Sequence, residues 1–394
     1  MLTAAGFIQA DVSIVDGLVS SLEPAAPTNG GQVLDATGCL VGPGFVDLHT
    51  HLRDPGQTWK EDLESGSAAA AVGGYTAVVA MPNTDPSLDD PKLLADVAAR
   101  GEDIGLIHVA VAAAVTRGRA GGELAPLEDL YEAGARLFTD DGDAVSSPEL
   151  LAEALRRLSR LQGAVLAQHA EDPRQPALSP SAEVEMLRHD LELVEEVGGR
   201  YHCQHVSTAE AVGLLGSARE QGLQVTAEVT PHHLSFDDTT ADRERPEFKV
   251  YPPIRTARDR EALVAALAGG VVDAVATDHA LHTVEEKSVS IESAPRGVIG
   301  LETAASAVWG TLGDPIRLFE VLSLAPARIA GLGDHGRPLQ PDTPAHIVVF
   351  DPTTTWVPDR FVSRSANSPY LGRSMAGRVR ATVYRGRVTH GQAS

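Results

Sequence analysis

The stretch "GFVDLHTHLRDPG", residues 44–56, carries an apolar run into a cluster of polar and ionisable side chains. In an extended strand, side chains at i, i+2 and i+4 share one face. Asp47, His49, His51 and Arg53 have that spacing, so two imidazoles able to reach one metal ion stand beside a guanidinium. The pair alone proves little. With fourteen histidines in 394 residues, chance supplies roughly 0.5 His-x-His pairs per chain of this length.

Its weight comes from repetition of the form. Apolar runs ending in polar residues recur as "FVDLH" (45–49), "TAVVAMP" (76–82), "IHVAVAAAV" (107–115) and "ARLFTDD" (135–141). They continue as "AVLAQHAED" (164–172), "YHCQHVS" (201–207), "QVTAEVTPHH" (224–233) and "DAVATDH" (273–279). Ala/Leu-rich helical patterns follow them. Continuous apolar strands alternating with helices read as βα units around a parallel sheet buried on both faces. Eight units predict an α/β fold of the (β/α)8 TIM-barrel type, whose chemistry sits where the strands end.

Those ends hold the polar residues. The fourth run closes on Asp140-Asp141-Gly142, the fifth on His169-Ala170-Glu171-Asp172, the sixth on His205 and the eighth on Asp278-His279. Four histidines and two carboxylates on one rim suit zinc, with room for one or two ions and a bridging water. The ends of the chain read differently. Residues 1–43 and 338–394 contain short strand patterns with Gly/Pro turns, which predict one small β-sandwich built from both termini around a barrel at 44–337.

Composition excludes several partners. The net charge is −22 with no long basic run, which argues against nucleic acid and anionic membrane surfaces. No apolar stretch is long enough to span a bilayer, and the first residues lack the charged-then-apolar form of a signal peptide. Cys39 and Cys203 lie far apart, so a reduced, cytoplasmic setting is expected.

Several longer motifs carry a resemblance. "PGFVDLHTHLRDPG", "KEDLESGSAAAAVGGYTAVVAMPNTDP", "TDDG", "QHAED", "HVSTAEAV", "AEVTPHHL", "VATDHALH" and "GLET" resemble, in order, the motifs of class I dihydroorotases of the amidohydrolase superfamily. The resemblance implies His49, His51 and Asp278 on one metal, His169 and His205 on a second, and Asp141 bridging. It implies Asp278 as general base, and Arg53, Asn83 and His282 as the holders of a substrate carboxylate. The implied activity is zinc-dependent, reversible cyclisation of N-carbamoyl-L-aspartate to L-dihydroorotate, a step of pyrimidine synthesis. A homodimer and an association with aspartate carbamoyltransferase are further expectations of the same kind.

The chain departs from the family pattern at the pocket roof. Tyr251 in "KVYPPIR" stands where many members carry a substrate-touching Asn, and Arg296 in "APRG" replaces a Phe. Tyr251 is therefore a substrate-side candidate. The stiff Pro252-Pro253 pair favours a backbone contact there with the tyrosine ring packed outward.

Other histidines have plainer readings. His202 lies three residues before His205 and should face elsewhere as a structural residue. His232 and His233 are expected either to support the ligands from behind or to make loop hydrogen bonds, and His279 to face away from Asp278. Asp47 and Asp140 either orient imidazoles or the bridging carboxylate or are simply solvated strand ends. His108, His189, His335, His346 and His390 have no supporting context.

Two other functions compete. Hydantoinases and allantoinases typically bridge their metals with a carboxylated lysine on strand 4, but this chain has no lysine between positions 93 and 248. A non-catalytic relative that scaffolds aspartate carbamoyltransferase should have lost the His-x-His pair or the aspartate, and both are present.

Overall fold

The computed structural model describes residues 1–26, 31–242 and 244–392. Barrel strand 1 is Phe45–His51, followed by strands Tyr75–Ala80, His108–Val111, Leu137–Phe138, Val165–Gln168, Tyr201–Cys203 and Val225–Val229. All pair in parallel with their sequence neighbours; an isolated bridge, Ala113 to Phe138, joins the third to the fourth. Strand 8 is broken. Its first part, Ala274–Val275, pairs with strand 7, and its second, His279–Ala280, pairs with Thr50 and His51 of strand 1. The sheet thus closes into the eight-stranded barrel, and the break falls on Asp278.

Helices follow the strands and start where their sequences supply caps. Asp62 and Thr256 make reciprocal capping boxes for helices Leu63–Val72 and Ala257–Gly269. Ser147, Ser179 and Thr208 each accept a backbone N–H at the helix start. Such caps satisfy donors that the first helical turn leaves free. Small and branched residues fill the barrel interior, among them Leu48, Val79, Ala112, Val165, Ala167 and Ala276. The helix layer packs outside as a separate, larger core.

Both chain ends join one β domain. Leu40–Pro43 pairs antiparallel with Ile347–Trp356, which pairs with Met375–Tyr384 and then Arg387–His390. The hairpin Asp11–Val15/Leu18–Glu23 lies against this sheet, where Val19 packs with Ala345, Ile347 and Val383. Among the described residues no helix is long and apolar enough to cross a membrane.

Three histidines without sequence context meet where the barrel's lower end joins this domain. His335 stacks on His346 at 4.2 Å and on His108 at 5.6 Å, and His346 stacks on Tyr384 at 5.0 Å. Thr76 holds His335 Nδ1 at 3.2 Å. Burial, then Arg385, pushes the His346 pKa down to about 4; burial and the neighbouring imidazoles push His335 well below its ordinary value. The unfolded chain therefore binds protons that the folded one refuses between about pH 6.5 and 4. Stability is full above that window and falls as pH drops through it, by up to roughly 3 kcal/mol for His346. A melting-temperature series should show His346→Gln losing less stability across that window than wild type; identical slopes would exclude the stack as a source of acid lability.

Candidate active site

His49 and His51 lie on the last residues of strand 1, whereas the other rim residues sit just beyond their strands, and the backbone turns sharply where several of them project. His205, Asp278 and Arg53 all have positive φ, at 31°, 47° and 59°. Non-glycine residues adopt this conformation rarely and at a cost, and it clusters at functional sites. It corrects the reading of Arg53. Strand 1 ends at His51, so a turn, not strand alternation, brings the guanidinium to the site. Gly142, at φ 87°, makes the matching turn after Asp141.

Two groups of ligand-type side chains form, His49/His51/Asp141 and Asp141/His169/His205, all buried and sharing Asp141. Asp141 Oδ1 lies 3.1 Å from His49 Nε2 and 3.6 Å from both His169 Nδ1 and His205 Nε2. Asp141 Oδ2 lies 3.5 Å from His51 Nε2. Asp278 stands beside the first group, with Oδ1 2.9 Å from His51 Nε2 and 3.7 Å from His49 Nε2. His49 Nε2 and His169 Nδ1 are buried without a hydrogen-bond partner. Buried polar atoms are rarely left unpaired, and lone pairs facing a shared carboxylate are what a cation would satisfy. Burial alone would raise both aspartates, but the surrounding imidazoles hold them below the usual carboxylate range. The four histidines and two aspartates thus fit a divalent metal.

The neighbouring aspartates work on backbone. Asp47 accepts N–H groups from His49 at 3.1 Å and Thr277 at 3.0 Å, tying strand 1 to the break before Asp278. Asp140 orients no ligand: it accepts the N–H groups of Val115 and Thr116 at 2.8 and 3.0 Å and pins the loop after strand 3.

The carboxylate-side candidates are not equivalent. Arg53 is partly buried and close enough to Asp278 and Asp141 for their charges to oppose the effect of burial on its guanidinium. Asn83 turns Oδ1 to His51 Nδ1 at 2.8 Å, which leaves its amide N–H groups as donors, one 3.5 Å from Asp141 Oδ2. His282 has Nε2 2.6 Å from the Arg296 carbonyl, so this nitrogen carries the ring proton. Burial, then Arg53, lowers its pKa to about 4. A neutral His282 therefore turns a lone pair, at Nδ1, to its surroundings, and cannot donate to a carboxylate in this state.

Tyr251 does not pack outward. Its ring sits edge-on against His169 with centroids 4.4 Å apart, its hydroxyl lies near enough to Glu171 for the carboxylate, after burial, to raise its pKa, and the Arg296 guanidinium lies 4.5 Å over the ring. The two departures from the family pattern thus pack on each other. The Pro252 carbonyl is taken by His233 Nε2 at 3.1 Å, the loop hydrogen bond expected for that histidine. His279 faces away from the metal-type groups, with Nδ1 accepting the Gly300 N–H at 3.1 Å.

His202 is no ligand, but it does not face away either: it points into the barrel at Glu228, a residue the sequence reading missed. Glu228 lies 2.8 Å from His49 Nδ1. A glutamate inside the apolar strand "VTAEV" was the available signal, because such a carboxylate must find a partner.

The comparisons agree with this geometry. Residues 38–189 match the family model described as dihydro-orotase-like. The chain is 45% identical to a dihydroorotase of Mycobacterium leprae over 92% of its own length and 90% of that protein. It is 43% identical to the dihydroorotase of Mycobacterium tuberculosis over 96% and 94%. Among solved structures it resembles an L-hydantoinase from Arthrobacter aurescens, with TM-score 0.88, 26% identity, and coverage of 100% and 95%. It shares the fold of a dihydropyrimidinase from Brevibacillus agri, with TM-score 0.82, 24% identity, and coverage of 98% and 92%. An identity of 45% sustained over nine-tenths of both chains, on a barrel with this rim, places the chain in the dihydroorotase family of the amidohydrolase superfamily.

Proposed function

We propose that this chain is a zinc-dependent dihydroorotase that interconverts N-carbamoyl-L-aspartate and L-dihydroorotate. The observation that carries the reading is Asp141 at the meeting point of all four histidines, with Arg53 beside it as a cation for an acidic substrate. His49, His51 and Asp278 would hold one ion, His169 and His205 a second, and Asp141 both. A divalent zinc there supplies Lewis-acid polarisation of a carbonyl and activation of water near neutral pH.

The protein's own groups do the rest. Arg53 offers a planar fork to the ring carboxylate, and the Asn83 amide adds a donor. In ring opening, water oxygen bonds to the ring amide carbon and the carbon–nitrogen bond breaks. Asp278 accepts the proton of the attacking water and delivers it to the leaving nitrogen. Ring closure runs the same transfers in reverse. Tyr251, braced by Arg296, walls the pocket on the His169 side.

A hydantoinase reading draws on the structural neighbours, which are hydantoinases and a dihydropyrimidinase. Their identities of 21–26% stand against 45% and 43% for the dihydroorotases. The absence of any lysine near strand 4 also disfavours it.

A spectrophotometric assay of dihydroorotate hydrolysis by zinc-loaded protein tests the proposal; hydrolysis of hydantoin or allantoin in preference to dihydroorotate would replace it. Dihydrouracil, the same ring without the carboxylate, makes the test sharper. Wild type should strongly prefer dihydroorotate, and Arg53→Met should erase most of that preference. An undiminished preference in Arg53→Met would mean that other groups read the carboxylate.

A further inference from the structure

We propose that Glu228 is a positioning residue for the metal centre: its carboxylate fixes His49 in the tautomer that presents Nε2 to Asp141 and Asp278, and His202 with Thr226 fixes Glu228 in turn. The proposal rests on the reading that His49 holds an ion. Glu228 sits in barrel strand 7 between Ala227 and Val229 and is 1% exposed. A carboxylate buried that deeply is costly unless both oxygens are engaged. Here two imidazoles engage them. Oε1 is 2.8 Å from His49 Nδ1, and Oε2 is 3.2 Å from His202 Nε2.

The direction of these bonds follows from what each group can do. A carboxylate only accepts, so His49 donates from Nδ1 and His202 from Nε2. With His202 neutral its Nδ1 carries a lone pair, and the Thr226 hydroxyl donates to it at 2.8 Å in preference to the Tyr201 carbonyl at 3.4 Å. The chain Thr226 to His202 to Glu228 to His49 is complete without an unmet proton. It leaves His49 Nε2 as a lone pair on the opposite edge of the ring. That nitrogen is buried without a hydrogen-bond partner, 3.1 Å from Asp141 and 3.7 Å from Asp278. Gln204 Nε2 also lies 3.3 Å from His49 Nδ1, but the carboxylate is nearer and charged, and a charge-assisted bond is the stronger one.

The arrangement makes the two histidines of strand 1 unequal. His51 Nδ1 meets only the neutral amide oxygen of Asn83, at 2.8 Å. Of these two, His49 is the one with a negative charge behind its ring, which raises the basicity of the nitrogen that faces the ion. The partners come from strands 7 and 6, two and three places round the barrel from strand 1, so the relay also ties the depth of the ligand to the barrel wall.

A structural cross-link and a positioning relay make different demands on the same variant. Glu228→Gln keeps the shape and an acceptor oxygen but removes the charge. Zinc affinity, measured by chelator competition, should weaken by roughly 10- to 100-fold, while the metal-free protein melts within a few degrees of wild type. Zinc bound as tightly by Glu228→Gln as by wild type would overturn the proposal, whatever its melting temperature. If that variant does not fold, Thr226→Val carries the test, since it removes only the terminal hydroxyl donor. A threefold or greater loss of zinc affinity supports the relay, and none overturns it. Wild-type protein that binds no zinc at all would instead overturn the metal reading, and this proposal with it.

Discussion

Asp278→Asn should lower kcat by a factor of ~10²–10⁴, the range typical of losing a positioned general base. The substitution is chosen for what it leaves intact. Asp278 adopts a left-handed backbone conformation at φ 47°, which asparagine tolerates better than most residues. The break in strand 8 should therefore persist, and with it the closure of the barrel onto Thr50 and His51. The amide can still lie beside His51, but it cannot take a proton from water and return it to nitrogen. Stopped or steady-state assays on variant protein with wild-type zinc content isolate the chemical defect. A kcat near the native value would mean that another group carries the proton.

Removing the metal should have the larger effect, with activity falling below detection and returning when zinc is added. The rim holds Asp141 and Asp278 as buried carboxylates, and the imidazoles beside them keep both ionised. Without a cation, nothing polarises the ring carbonyl or activates water near neutral pH, and a substrate that carries its own carboxylate meets two buried carboxylates instead of a metal. Arg53 offsets only part of this. Dialysis against a chelator, followed by assay with and without added zinc, measures the effect. Full activity in protein shown to be metal-free would sink the metal reading altogether.

Much of this molecule was legible in its sequence, for a local reason. Whether a residue faces inward or outward on a strand depends on a two-residue period, and "FVDLHTH" displays it openly. The eight βα units and the strand-rich termini follow from patterns contained within a few residues each; those patterns put candidate ligands at the strand ends, and the resemblance to dihydroorotases implied the set His49, His51, Asp141, His169, His205 and Asp278 among them. The structure brings those six together. The βα rhythm likewise implies that strand ends converge, because a closed barrel has only one rim for them to share.

What tertiary structure alone decided lies in contacts between residues distant along the chain. Arg53 reaches the site through a left-handed turn, which no alternation rule describes. The outward packing expected for Tyr251 was wrong because its environment is set by His169, Glu171 and Arg296, residues up to 82 positions away that no local rule connects. The pairing of Glu228 with His49 spans 179 positions, and neither residue's neighbours announce the other. Sequence periodicity determines which face a side chain takes. Only closure of the barrel determines which buried charge meets which imidazole across it, because that depends on the register and depth of strands that never touch in sequence.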